Sequence, residues 1–146
     1  MLFRLPAEAL VLLIPTLMFA LSFHEFAHAW MAYKCGDNTA ARLGRLTLNP
    51  LAHLDFMGSL MILFVGFGWA KPVPVNPTKL NNAELGMMKV AIAGPASNLF
   101  LALLAGILIR LISYYELHIS QMYVQIILYF LHINIALAIF NLIPVS

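Results

Sequence analysis

Two histidines four residues apart, with a glutamate beside the first, carry the chemistry of this sequence: His24-Glu25-Phe26-Ala27-His28. On a helix, residues four apart lie on one face, so His24 and His28 can offer two imidazoles to one metal ion. Glu25 lies about 100° further round the helix. That places its carboxylate beside the metal, free to take a proton from a water the metal activates. The setting matters as much as the pattern, because the motif sits in the apolar run Ala7 to Met31. Ionisable groups in such a segment are costly unless paired or ligated. A lone buried histidine is usually a hydrogen-bonded core residue, and a short H-E-x-x-H does occur by chance. Three ionisable groups at this spacing inside a membrane-type segment point instead to metal-dependent hydrolysis.

The elements that must position these groups follow from composition and order. The chain has 146 residues, 62% hydrophobic and 10% charged, with a net charge of +2. A soluble domain is usually about 25% charged, so the sequence describes one membrane-embedded domain spanning residues 1–146. The charge is too small and too dispersed for a nucleic-acid partner. The single cysteine, Cys35, excludes an intrachain disulfide and reads as a plain loop thiol. The motif lies in the first apolar run, so that run reads as a retained span rather than a cleaved leader.

Ala7 to Tyr33 is the first expected span, with Pro15 as a kink and Gly36-Asp37-Asn38 as its stop. Within the following loop, the alternation in Arg45-Leu46-Thr47-Leu48 predicts a short strand. His53 and Asp55 could ligate a metal, but they read better as loop residues that satisfy backbone groups. Phe56 to Trp69 is apolar but too short to cross, and it reads as re-entrant or interfacial. Ala70 to Pro77 carries three prolines, which forbid a helix and favour an extended segment. That segment could pair with an unwound substrate strand or be a stiff connection.

Gly86 to Leu111 is the second span, with Ala93-Gly94-Pro95-Ala96-Ser97-Asn98 at its bend. Asn98, a polar side chain at depth, bridges helices or faces the active site. Gln121 to Ile143 is the third, with His132 as a hydrogen-bonded interhelical residue and Asn141 near its end. The expected fold is therefore an all-α integral membrane protein: three core transmembrane helices, with a re-entrant and short β-strand segment between the first and second. If Phe56–Trp69 does not cross, Lys34, Arg42, Arg45, Lys71, Lys79 and Lys89 share one side, against Arg4 and Arg110 on the other. The positive-inside rule then puts the H-E-x-x-H end near the cytoplasmic face of a prokaryotic cell membrane.

Taken in order, five stretches resemble the site-2 protease family of intramembrane zinc metalloproteases, in its compact bacterial and archaeal branch without a PDZ domain. They are His24–His28, Gly44-Arg45-Leu46-Thr47-Leu48-Asn49-Pro50-Leu51-Ala52-His53, Gly68-Trp69-Ala70-Lys71-Pro72-Val73-Pro74-Val75-Asn76-Pro77, Ala93–Asn98 and Asn141-Leu142-Ile143-Pro144. The resemblance implies one Zn2+ per chain held by His24 and His28, Glu25 as general base, and Asn141 and Asn98 at the substrate. It also implies a third ligand, the Asp of a Leu-Asp-Gly five residues after Pro144, past Ser146. The expectation is a chain shortened before that motif. A natural truncation that no longer cleaves, or a substitute ligand such as His53, Asp55 or His132, are the alternatives. The implied activity is zinc-dependent hydrolysis of peptide bonds in transmembrane substrates that unwind locally in the bilayer. Against it stand a non-catalytic zinc-binding relative and a metal transporter; the second would spread ionisable residues over several helices, whereas here they gather in one turn.

Overall fold

The computed structural model describes residues 7–65 and 71–142, without the side chains of residues 8–10, 12, 13, 62 and 63. Three long helices dominate: α1 (Ala7–Lys34), α5 (Ala83–Tyr114) and α6 (Gln121–Leu142). Between α1 and α5 come α2 (Thr39–Arg42), α3 (Pro50–His53), α4 (Phe56–Val65) and a 3-10 turn, Pro77–Lys79. The helix α5 packs along both α1 and α6, and α1 also touches α6.

Local chemistry sets the ends of these elements. Gly36 adopts a φ of 107°, and the Asp37 N–H reaches back to the Ala32 carbonyl at 2.9 Å. This is the left-handed stop that glycine makes cheaply, and it ends α1 where the sequence placed the stop. Gly44, with φ 74°, closes α2 in the same way, with the Arg45 N–H on the Ala40 carbonyl at 2.9 Å. The second long helix begins at Ala83, three residues before the apolar pattern does. Asn82 caps it, accepting from the Leu85 N–H at 3.1 Å, and Glu84 in the first turn complements the helix dipole.

Among the described residues, two helices are long and apolar enough to cross a membrane: Ala83–Tyr114 and Gln121–Leu142. At about 1.5 Å per residue they measure roughly 48 and 33 Å, against a hydrocarbon core of about 30 Å. Their outward faces carry exposed Leu99, Phe100, Leu103, Leu104, Ile139 and Phe140. The ten-residue α4 is roughly 15 Å long, half of what crossing needs. The rest of the apolar stretch that it begins, and Gly68-Trp69-Ala70 and Ile143-Pro144 of the resembling motifs, lie outside the described residues.

The short strand expected at Arg45–Leu48 is absent, and no strand occurs among the described residues. The alternation there does not face a sheet. Arg45, not the leucines, turns inward: it is buried, while Leu48 is exposed. The segment's polar groups are satisfied by side chains instead of a ladder, with His53 donating to the Thr47 carbonyl at 2.6 Å. Residues 71–76 are non-helical, as their prolines require. Their ends are pinned, Lys71 N–H to the His53 carbonyl at 2.7 Å and Asn76 N–H to Asp37 Oδ2 at 2.7 Å.

Candidate metal centre

His24, Glu25 and His28 lie on α1 where it packs against α5. One potential ligand atom from each falls within 4.8 Å of the others. His24 is buried, and Glu25 and His28 are half-buried. Among the described residues no further His, Cys, Asp or Glu joins them.

Hydrogen bonds fix which imidazole nitrogens are free. His28 Nδ1 lies 2.6 Å from the Val90 carbonyl. A carbonyl only accepts, so Nδ1 carries the proton. Pro95, further along the same helix, supplies no N–H to the carbonyl four back, that of Ala91, next to Val90. His24 Nδ1 lies 2.5 Å from Asn98 Oδ1 and donates to it by the same logic. Both Nε2 atoms are then bare lone pairs, and they face each other at 3.0 Å. Two acceptors at that distance repel unless a cation lies between them. Two nitrogens on a tetrahedral zinc, each at about 2.0–2.1 Å, stand roughly 3.3 Å apart, so the pair is set for such an ion.

Space for the ion comes from α5. A Cβ built on Gly94 would stand 2.6 Å from His24 Nε2 and closer still to His28 Nε2. The missing side chain thus leaves room where both lone pairs point. Gly94 reads from sequence as a bend and packing residue; only the fold shows that it faces the imidazoles.

A second cluster addresses Glu25. The Val73 backbone N–H and the Arg45 charge both act on its carboxylate. Arg45 is buried and clamps the proline-rich segment, with Nη2 on the Lys71 carbonyl at 2.6 Å and Nη1 on the Pro72 carbonyl at 3.2 Å. Its Nε–H donates to His53 Nδ1 at 3.3 Å. Burial, with the adjacent Arg45 charge, holds His53 below the usual imidazole range even though its bond to Thr47 opposes this. His53 therefore stays neutral and orients Arg45.

Asp55 and His132 do not join the His-Glu-His group. Asp55 Oδ1 accepts from the Gly58 N–H at 2.9 Å and caps α4. His132 is exposed and bonds its own helix at the Leu128 carbonyl, 2.7 Å away, so the expected interhelical bond is not made. Exposed Asn141 likewise donates to the Leu137 carbonyl of its own helix at 2.7 Å. Asn98 is fully buried: besides His24 it meets Asn134 Oδ1 at 2.9 Å. On one flank of the site an apolar recess of about 340 Å3 opens between α1 and α5, lined by Phe23, Phe26, Trp30, Ala93, Ser97 and Phe100 among others.

The chain matches no family model, and no solved structure matches it. Curated relatives do. It is 41% identical over 143 residues to YwhC of Bacillus subtilis, a protein named as a zinc metalloprotease; the match covers 95% of this chain and 65% of that one. It is 36% identical over 99 residues to Rip2 of Mycolicibacterium smegmatis, covering 64% of this chain and 38% of the relative. Rip2 of Mycobacterium tuberculosis is 35% identical over 104 residues, 67% of this chain and 39% of the relative. Both mycobacterial proteins are also named as zinc metalloproteases. The chain thus spans just under two thirds of YwhC and about two fifths of Rip2. Its likeness along nearly all of its own length, together with two long apolar helices, makes this chain a membrane protein of the site-2 protease family of zinc metalloproteases.

Proposed function

We propose that the chain is the core of an intramembrane zinc endopeptidase that cleaves peptide bonds in transmembrane proteins. The observation that carries this reading is the facing pair of Nε2 lone pairs with the Glu25 carboxylate beside them. In this reading α1 is a third span, long enough at 28 residues, and the histidines lie near its cytoplasmic end.

His24 and His28 would hold zinc through Nε2. Bound there, zinc supplies a Lewis acid that polarises a carbonyl and activates water. Glu25 takes a proton from the attacking water and later delivers it to the leaving amine. The Val73 N–H and Arg45 orient the Glu25 carboxylate while the Arg45 clamp holds the 71–76 segment across it. An unwound substrate strand pairs with that segment, and the apolar recess beside Phe26 and Trp30 accepts an apolar side chain of the substrate. Asn141 assists in holding the substrate backbone, and Asn98 serves from the core side.

The test is Glu25→Gln in detergent, with zinc and a transmembrane peptide substrate. The expected result is retained zinc with cleavage lowered by about a thousandfold or more, while His24→Ala loses both. Loss of zinc in Glu25→Gln would make Glu25 a ligand and sink the protease reading in favour of metal transport.

A further inference from the structure

Asn134, on α6, was not a candidate from its sequence context. It is fully buried, as is Asn98 on α5. Two asparagines at zero exposure in an apolar bundle are costly unless every polar atom is matched, and here they are matched in a directed chain. The Asn134 amide nitrogen lies 2.8 Å from the Phe130 carbonyl of its own helix. That carbonyl can only accept, so Asn134 must turn its Oδ1 outward. Asn98 must then present its NH2 to Asn134, at 2.9 Å, and a second carbonyl, Ala20, stands 3.5 Å from the same nitrogen. The only polar atom left to Asn98 is Oδ1, which faces His24 Nδ1.

We propose that Asn134 is a positioning residue for the metal centre: through Asn98 it dictates that His24 carries its proton on Nδ1 and turns a bare Nε2 toward the metal space. The proposal rests on the reading that His24 is a metal ligand. It assigns to α6 a part in the metal centre that does not involve any ligand of its own. Partners one shell out set the ring angle and tautomer of ligating histidines, and losing one typically costs about 10–100-fold in metal affinity.

The experiment uses the full chain in detergent, measuring zinc affinity by chelator competition and the His24 ring-nitrogen shifts by 15N NMR of the metal-free protein. Asn134→Leu, close in volume but unable to bond, is expected to lower zinc affinity by about 10–100-fold. Asn134→Asp is expected to keep most of it, since a carboxyl held protonated by burial can donate to Phe130 and accept from Asn98. In an Asn98→Leu background the Asn134→Leu change should cost little more, because it acts through Asn98. The metal-free wild type should show His24 protonated on Nδ1, and Asn134→Leu should mix the tautomers.

Unchanged affinity in Asn134→Leu, losses that simply add in the double variant, or a wild-type His24 protonated on Nε2 would each overturn the proposal. Should Asn134→Leu fail to fold, the wild-type shifts and the Asn134→Asp affinity still decide. A wild type that binds no zinc would sink the metal reading instead, while the nitrogen shifts would go on testing the tautomer assignment independently.

Discussion

Gly94 of α5 lies against Nε2 of His28 so closely that no side chain fits between them. The methyl of Gly94→Ala would stand where both imidazole lone pairs point. Zinc affinity is expected to fall by roughly 100-fold, about 3 kcal/mol, at the upper end of what overpacking by one carbon costs. Gly106→Ala on the same helix is the control, because a Cβ there meets its nearest neighbour, Leu131, at an ordinary 3.6 Å. Chelator competition on both variants reads the difference; equal affinities would show that Gly94 does not shape the site.

Removing the metal should loosen the bundle. Without a cation, His24 and His28 hold two acceptors 3.0 Å apart. A ligand at 100 times its Kd stabilises the folded form by about 2.7 kcal/mol. Excess chelator should therefore lower the melting temperature of the wild type and leave that of His28→Ala nearly unmoved. A melting temperature indifferent to chelator in the wild type would count against a metal held by these two residues.

Arg45 holds two carbonyls, those of Lys71 and Pro72, with two separate nitrogens of its planar fork, where a lysine has only one nitrogen. Arg45→Lys is expected to raise amide exchange at Val73 and Asn76 by about tenfold or more, from the loss of charge-assisted bonds worth about 1.5–3 kcal/mol each. Hydrogen exchange read by mass spectrometry, with the α5 amides as internal reference, checks this. Unaltered exchange across residues 71–76 would mean that the segment is held by its other contacts.

Asp37 ties the end of α1 to the same segment. Its burial favours the neutral acid, but donors from Thr39 Oγ1, the Asn76 N–H and the Thr39 N–H outweigh it, with help from Lys79, and the carboxyl is held below its ordinary 3.8. A lowered folded value means stability that is complete above pH ~4 and lost as pH falls through the folded value. Asp37→Ala should cost about 2 kcal/mol at pH 7, and the gap to wild type should narrow below pH 4. A gap that stays constant to pH 3 would contradict this account. Thermal melts across that range make the measurement.

Much of this was legible in the residues. The periodicity that put His24 and His28 on one face needs only the helix, and Gly36 stops α1 where glycine at that position should. The strand at Arg45–Leu48 failed because alternation assumes that the polar residue faces water. Arg45 instead turns inward to bond carbonyls 26 and 27 positions along the chain, a demand no local pattern carries. His132 reads as an interhelical residue from its place in an apolar run, but it lies on the exposed face of α6 and bonds its own backbone. Gly94 and Asn134 were hidden for another reason. A small residue and an amide in a membrane helix both read as packing, and their meaning depends on which residues of other helices they face.

The directed chain from the Phe130 carbonyl to His24 also bears on timing. As it leaves the ribosome, α1 holds two imidazoles whose Nδ1 partners do not yet exist: Val90 and Asn98 come on α5, and Asn134, which orients Asn98, comes later still on α6. On a nascent α1 the imidazole pair therefore has no fixed tautomer. The His24 tautomer is fixed only when the third long helix has docked. Such an order leaves the histidine pair of α1 without its fixed geometry until the chain has folded around it.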